Sequence, residues 1–102
     1  LTDRPTAVFC SCDEAAFGFI AALRRKEIRV PENVSVVGFD DIPLADHYCP
    51  ALTTVRQPHR ELGTTAVRML LERIRDVEAS IPNQLLEGKL IVRESTGHPP
   101  IT

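Results

Sequence analysis

The chain has no tryptophan, one tyrosine and one methionine in 102 residues. Long apolar runs are missing too. No stretch approaches the about 20 residues a membrane-spanning helix needs, and no basic segment leads into an apolar one at the start, as a signal peptide would require. An excess of basic charge is also lacking: 12 Lys and Arg stand against 14 Asp and Glu, for a net charge of −2. A surface that grips nucleic-acid phosphates needs clustered cations, so this composition argues against DNA binding by these residues. The tight basic cluster Arg24-Arg25-Lys26 closes a predicted helix, where positive charge complements the dipole. Cysteines number three, an odd count without disulfide-rich spacing, which fits a reducing compartment. Cys10 and Cys12 sit two apart and are expected to share a strand face. His47, His59 and His98 are scattered, no zinc pattern forms, and neither metal nor cofactor is expected.

What is present is ordinary for a globular protein: 43% hydrophobic and 25% charged residues, with no sign of disorder, collagen or repeats. The length suits one small domain or a piece of a larger one. The first residue is Leu1 rather than Met, so the start is expected to be an imposed boundary, a processing point or a disordered edge.

"TAVFC", Thr6 to Cys10, reads as a short buried strand bounded by Pro5 and Ser11. Ser11 and Glu14 have capping-box spacing, and Asp13 adds negative charge at a helix start. The helix runs through "EAAFGFIAALRRKE", with Ala16, Phe19, Ile20 and Leu23 on one apolar face. Phe17 and Ala21 lie off that face, which leaves a second apolar side for another partner. "RVPENV" is a loop, and "SVVGF" is a strand apolar enough to be covered on both faces. Strand, helix, strand at this spacing is a βαβ unit with parallel strands. "PLADHYCPA" reads as a surface loop and "LTTVRQ" as a third extended segment. A second helix spans His59 to about Val77, with Leu62, Ala66, Met69, Leu70, Ile74 and Val77 recurring at helical spacing. "QLLEGKLIVRES" supplies two short extended runs, and "TGHPPIT" reads as a frayed tail.

Open parallel sheets bind ligands outside the carboxyl ends of their strands. Ser11, Cys12 and Asp13 follow the first strand directly, and Asp40 and Asp41 follow the second. Both clusters therefore belong to one edge of the sheet.

The combination of "SVVGFDD", "PALTTVRQP" and the "ELG…A…LL" helix resembles the lactose/galactose-repressor (LacI/GalR) family of transcription regulators. The match covers about Pro5 to Arg93, the C-terminal part of the effector-binding domain. The resemblance implies an α/β fold: a parallel βαβ sheet within a periplasmic-binding-protein-like type I architecture of two subdomains around a small-molecule cleft. Residues of about 5–57 and 84–94 would form the C-terminal subdomain. The helix of about 58–83 would belong to the N-terminal one, leaving Leu62, Ala66 and Leu70 in need of cover. The DNA-binding headpiece is absent from these residues, so operator DNA would be reached only through it.

Asp40 is the leading ligand residue, since an ionised carboxylate accepts from two neighbouring hydroxyls of a sugar-like effector; the alternative is a loop-capping role. Asp41 fits that structural role better. Cys12 occupies a position that the resemblance assigns to an amide-bearing Asn, a departure that puts the identity of the sugar in doubt. Asp13 either caps the helix or contacts ligand. Gln57 offers a donor and an acceptor to ligand or to the hinge backbone. His59 stands where some relatives stack an aromatic on the ligand; a structural helix-start role competes. Phe17, Ile20, His47 and Tyr48 map to the region that pairs subunits in the family, with core packing as the alternative for Phe17.

Three function classes follow. The first is a cytoplasmic, homodimeric, ligand-responsive repressor without membrane contact. The second is an extracytoplasmic solute-binding protein of the same fold. The third, an enzyme, is not expected: no nucleophile elbow, P-loop or metal set accompanies Asp40, Asp41 and His47.

Overall fold

A computed structural model describes residues 3–101. The elements are β1 (Ala7–Phe9), α1 (Asp13–Arg25), β2 (Ser35–Val37), α2 (Leu44–His47), β3 (Thr54–Arg56), α3 (His59–Arg75) and β4 (Lys89–Ile91). The chain divides into two compact units. One runs through Arg56 and resumes at Leu90; the other is Gln57–Lys89.

In the first unit β1 and β2 are parallel, with Ala7 opposite Ser35, Val8 opposite Val36 and Phe9 opposite Val37. Parallel bridges from Val37 to Thr53 and from Asp40 to Arg56 carry the arrangement on to β3, which pairs with β4. α1 is amphipathic. Its Ala16, Phe17, Ile20 and Leu23 are buried together with Val34, Val36, Ala45 and Leu52. Burial of a side chain the size of Ile20 or Leu52 stabilises by about 1.5–3 kcal/mol, so this cluster is what holds the unit together.

Several expectations need correction. Phe17 belongs to the buried face of α1, while Phe19 is half-buried beside it. β1 is not a buried strand: Phe9 is 67% exposed, because among the described residues β2 is the one strand that pairs with β1. The Ser11–Glu14 capping box does not form. Cys12 is the N-cap and makes no side-chain cap bond; the helix start is tied instead by main chain, with Asp13 N–H donating to the Phe39 carbonyl at 3.0 Å. "PLADHYCPA" contains the short helix α2, which buries Ala45. "QLLEGKLIVRES" forms one strand, β4, rather than two. The expected frayed tail is anchored at its start: Gly97 N–H donates to Ser35 Oγ at 3.0 Å. Just before it, Ser95 is fully buried, donating to the Val36 carbonyl at 2.6 Å and accepting from Thr53 N–H at 2.8 Å.

The second unit is α3 with the segment that follows it. Asn83, Gln84 and Leu86 come beside Leu62, Thr65 and Met69 around a concavity of about 340 Å³. Thr65 is buried, whereas Val67, Leu70, Ile74 and Val77 are each more than half exposed.

Candidate functional site

The parallel register of β1 and β2 delivers the residues after both strands to one edge, as the sequence pattern required. Main-chain bonds lace this edge together. Cys10 N–H donates to the Val37 carbonyl at 2.8 Å, Gly38 N–H to the Thr53 carbonyl at 2.9 Å and Asp40 N–H to the Val55 carbonyl at 2.9 Å. Gly38 is there for space, since no glycine among the described residues has positive φ. A Cβ at Gly38 would run into Asp13 Oδ1 and come within 2.8 Å of Leu52 Cδ2.

Two consecutive residues then take positive φ, Asp40 at 122° and Asp41 at 55°. Aspartate tolerates the left-handed region that Asp41 occupies. Asp40 lies further out, in a conformation that costs a non-glycine residue about 1–3 kcal/mol and persists where its surroundings enforce it. Such residues gather at ligand clamps. Asp40 is half-buried at the rim.

The next residue, Asp41, is anchored through its side chain. Its carboxylate accepts from Arg56 Nε at 2.7 Å and pairs with Arg93 Nη1 at 2.8 Å, with its side chain 6% exposed. Burial works against its charge, but the hydrogen bonds and charges of Arg93 and Arg56 outweigh that and hold its carboxyl below the usual range. Arg93 also donates to the Leu52 carbonyl at 2.9 Å. The structural role expected of Asp41 is therefore an ion-pair hub.

Asp13 leaves the set of ligand candidates. Its residue is 0% exposed. Oδ2 accepts from Ile42 N–H at 2.8 Å and Oδ1 from Thr54 Oγ1 at 2.5 Å. The carboxylate thus spends its acceptors on sewing α1 to the loop after β2 and to β3.

Cys10 and Cys12 do not share a strand face, because β1 ends at Phe9 and Cys12 caps α1. Both are half-buried. Burial, and then the charge of Cys12, push the Cys10 thiol up. Cys10 lines a concavity of about 420 Å³ with Phe9, Ser11 and Phe39, so an aromatic-walled hollow lies at the carboxyl ends of β1 and β2. Among the described residues no group of three or more His, Cys, Asp or Glu side chains could hold a metal ion.

Gln57 and His59 belong to the second unit. There His59 lines a concavity of about 580 Å³ with Arg60, Thr64, Arg68 and Gln84. Of the four residues assigned to subunit pairing, Phe17 and Ile20 keep only 9% and 2% exposure within their own unit. Phe17 stacks on Tyr48 with ring centroids 4.4 Å apart, and Tyr48 Oη donates to the Phe17 carbonyl at 3.3 Å. Ile20 and Phe17 are core residues, which leaves exposed His47 and half-buried Tyr48 at the surface.

The residues that sequence reasoning missed are Arg56, Arg93, Thr54 and Phe39. Arg93 had no local signal, since its partner Asp41 is distant in the chain. Phe39, lying directly before the two acids, was the one visible hint.

The class is that of an α/β domain with a parallel strand edge, the kind of edge at which open α/β sheets bind small molecules. The chain belongs to the periplasmic binding protein-like domain family, which it matches over residues 1–96, and within it to the LacI/GalR group. It is 44% identical over 93 residues to the HTH-type transcriptional repressor PurR of Vibrio vulnificus, covering 91% of this chain and 28% of that protein. Among solved structures it resembles a LacI family transcriptional regulator from Enterococcus faecium with bound ribose: TM-score 0.78, 35% identity, 99% of this chain and 37% of that one. It also resembles the dimeric Lac repressor with an 11-residue C-terminal deletion: TM-score 0.80, 39% identity, 93% of this chain and 35% of that one. The chain thus spans about a third or less of the relatives it matches.

Proposed function

We propose that these residues are the effector-binding part of a ligand-responsive transcriptional repressor, and that Asp40 holds the effector. One observation carries the reading: a half-buried carboxylate at φ 122° stands at the carboxyl edge of the parallel pair. The effector class is a small sugar-like metabolite whose adjacent hydroxyls donate to Asp40, and Phe39 and Phe9 offer apolar surface to its C–H face. The repressor relative and the ribose-bound neighbour support this assignment. The chemistry is binding, not turnover. An effector regulates only through different affinities for two conformations, and DNA contact belongs to a headpiece outside these residues. α3 is assigned to the N-terminal subdomain, whose remainder would cover Leu70 and Ile74. The working state is a cytoplasmic homodimer that uses the surface around His47 and Tyr48.

Calorimetric titration of ribose, other pentoses, hexoses and nucleobases into the intact protein tests the reading. A carboxylate hydrogen bond contributes about 1.5–3 kcal/mol. Asp40→Ala is therefore expected to weaken the best ligand by roughly 10–100-fold; unchanged affinity rules Asp40 out.

A further inference from the structure

Asp40 and Asp41 are neighbours at the strand edge, and Asp41 is pinned from two sides. The pinning groups come from separate parts of the chain. Arg56 is the last residue of the first unit before the chain passes to Gln57, and Arg93 follows the return at Leu90. The main chain around the pair is held as well. Asp41 N–H donates to Thr54 Oγ1 at 3.4 Å, Arg93 N–H donates to Thr53 Oγ1 at 2.9 Å, and the Arg93 side chain reaches the Leu52 carbonyl at 2.9 Å. On its other side Arg93 meets exposed Asp46 at 3.5 Å.

A backbone at φ 122° is not self-sustaining in a non-glycine residue. The Asp40 N–H bond to the Val55 carbonyl holds one side of this backbone, and fixing the residue after it holds the other. Asp41 is fixed by two charge-assisted bonds, the one from Arg93 shielded and the one from half-exposed Arg56 open to solvent, a geometry that resists rotation better than a single contact does. Arginine suits this duty because its planar fork donates to several acceptors at once, which a lysine ammonium does not match.

We propose that Asp41, gripped by Arg93 and Arg56, is a positioning residue: it holds Asp40 in its binding conformation and ties the effector rim to both segments through which the chain leaves and re-enters this unit. This rests on the reading of Asp40 as the effector contact. Asp41 itself touches no effector. A displacement of either connecting segment reaches the rim through Asp41, beside the Asp40–Val55 main-chain bond on the β3 side, so the site and the connections are coupled by adjacent residues rather than by a long path.

The test uses D-ribose as probe, with calorimetric affinity and thermal midpoint measured on the intact protein for each variant. Ribose must first bind the wild type and lose affinity with Asp40→Ala; if Asp40→Ala binds as the wild type does, the reading of Asp40 fails. Given that loss, Asp41→Asn and Arg93→Met are each expected to weaken ribose about tenfold, the effect of about 1.4 kcal/mol of lost preorganisation. Arg93→Lys should recover only part of the loss. Leu23→Ala, buried on α1 away from the rim, serves as a control of comparable thermal destabilisation and should leave affinity unchanged. Wild-type affinity in Asp41→Asn and Arg93→Met, alongside a weakened Asp40→Ala, overturns the positioning role. So does a Leu23→Ala variant that loses affinity in step with its stability. If Asp41→Asn fails to fold, Arg93→Lys and Arg93→Met carry the comparison.

Discussion

Replacing Gly38 by alanine puts one methyl group where the structure has no room. The new Cβ would strike Asp13 Oδ1, lie 2.8 Å from Leu52 Cδ2 and stand 3.2 Å from Asp13 Cα. Leu52 is 0% exposed and so is Asp13, so neither neighbour can swing into solvent. Overpacking of this kind costs about 1–3 kcal/mol. If Asp13 yields, its bonds from Ile42 N–H and Thr54 Oγ1 stretch as well, and bonds to a charged group contribute about 1.5–3 kcal/mol each. A total near 3 kcal/mol is expected, a large share of a typical domain's about 5–15 kcal/mol. In a domain of this size that corresponds to a fall of roughly 12–24 °C in Tm. Gly18 provides the contrast. It sits inside α1 with nothing within 4 Å of its Cβ position, so Gly18→Ala should stabilise by about 0.5–1 kcal/mol through helix propensity. Urea denaturation followed by far-UV circular dichroism measures both. Combining Gly38→Ala with Asp13→Ala should be markedly non-additive, because the first substitution acts through the second residue. A Gly38→Ala cost below about 1 kcal/mol, or strict additivity, would refute the reasoning.

Asp41→Asn should destabilise by about 2–3 kcal/mol at pH 7, mostly through Arg93, since the half-exposed Arg56 pair is screened. The folded-state pKa of Asp41 is depressed. Its contribution is therefore full above the unfolded value near about 3.9 and fades as pH falls through the lower folded value. The gap between wild type and Asp41→Asn in chemical denaturation should close as pH falls through the depressed folded value; a gap independent of pH contradicts the ion-pair account. Thr54→Val removes the donor to Asp13 Oδ1 and leaves a buried carboxylate short of a bond. A loss of about 1–3 kcal/mol is expected by the same assay, and a neutral result would mean that Asp13 is not held as described. Tyr48→Phe keeps the stack on Phe17 and loses only a long 3.3 Å bond, so it should cost under about 1 kcal/mol. Tyr48→Ala, which removes a half-buried ring and its stack on Phe17, should cost about 1–3 kcal/mol.

The parts of the fold legible in the sequence are those written as local patterns. "TAVFC", the α1 periodicity and "SVVGF" announced a parallel βαβ unit, and with it the shared edge that carries Asp40 and Cys12. The apolar stripe of α3 announced that helix to within two residues of its end. What escaped was decided by distant contacts. Asp13 looked like a dipole-complementing acid at a helix start, yet Thr54 of β3 and Ile42 in the loop before α2 bond to it and leave it 0% exposed. Ser95 lies in a polar stretch that no periodicity marks, but its hydroxyl fills a gap between Val36 and Thr53. Phe17 and Phe19 flank the same helical face, and the stack of Tyr48 on Phe17 covers one of them and not the other. α2 is four residues between prolines, too short for a pattern to register. Arg93 carries no mark in the sequence, because nothing local says that Asp41 is its partner.

The central claim is that the Asp40 carboxylate at the shared strand edge receives the effector. A crystal structure of the intact protein with its bound effector tests it most directly. The expected density places an effector hydroxyl within about 2.5–3.0 Å of an Asp40 carboxylate oxygen, while Asp13 stays buried under Thr54 and Ile42. An effector seated elsewhere, with Asp40 turned to solvent and φ relaxed to a negative value, would contradict the account.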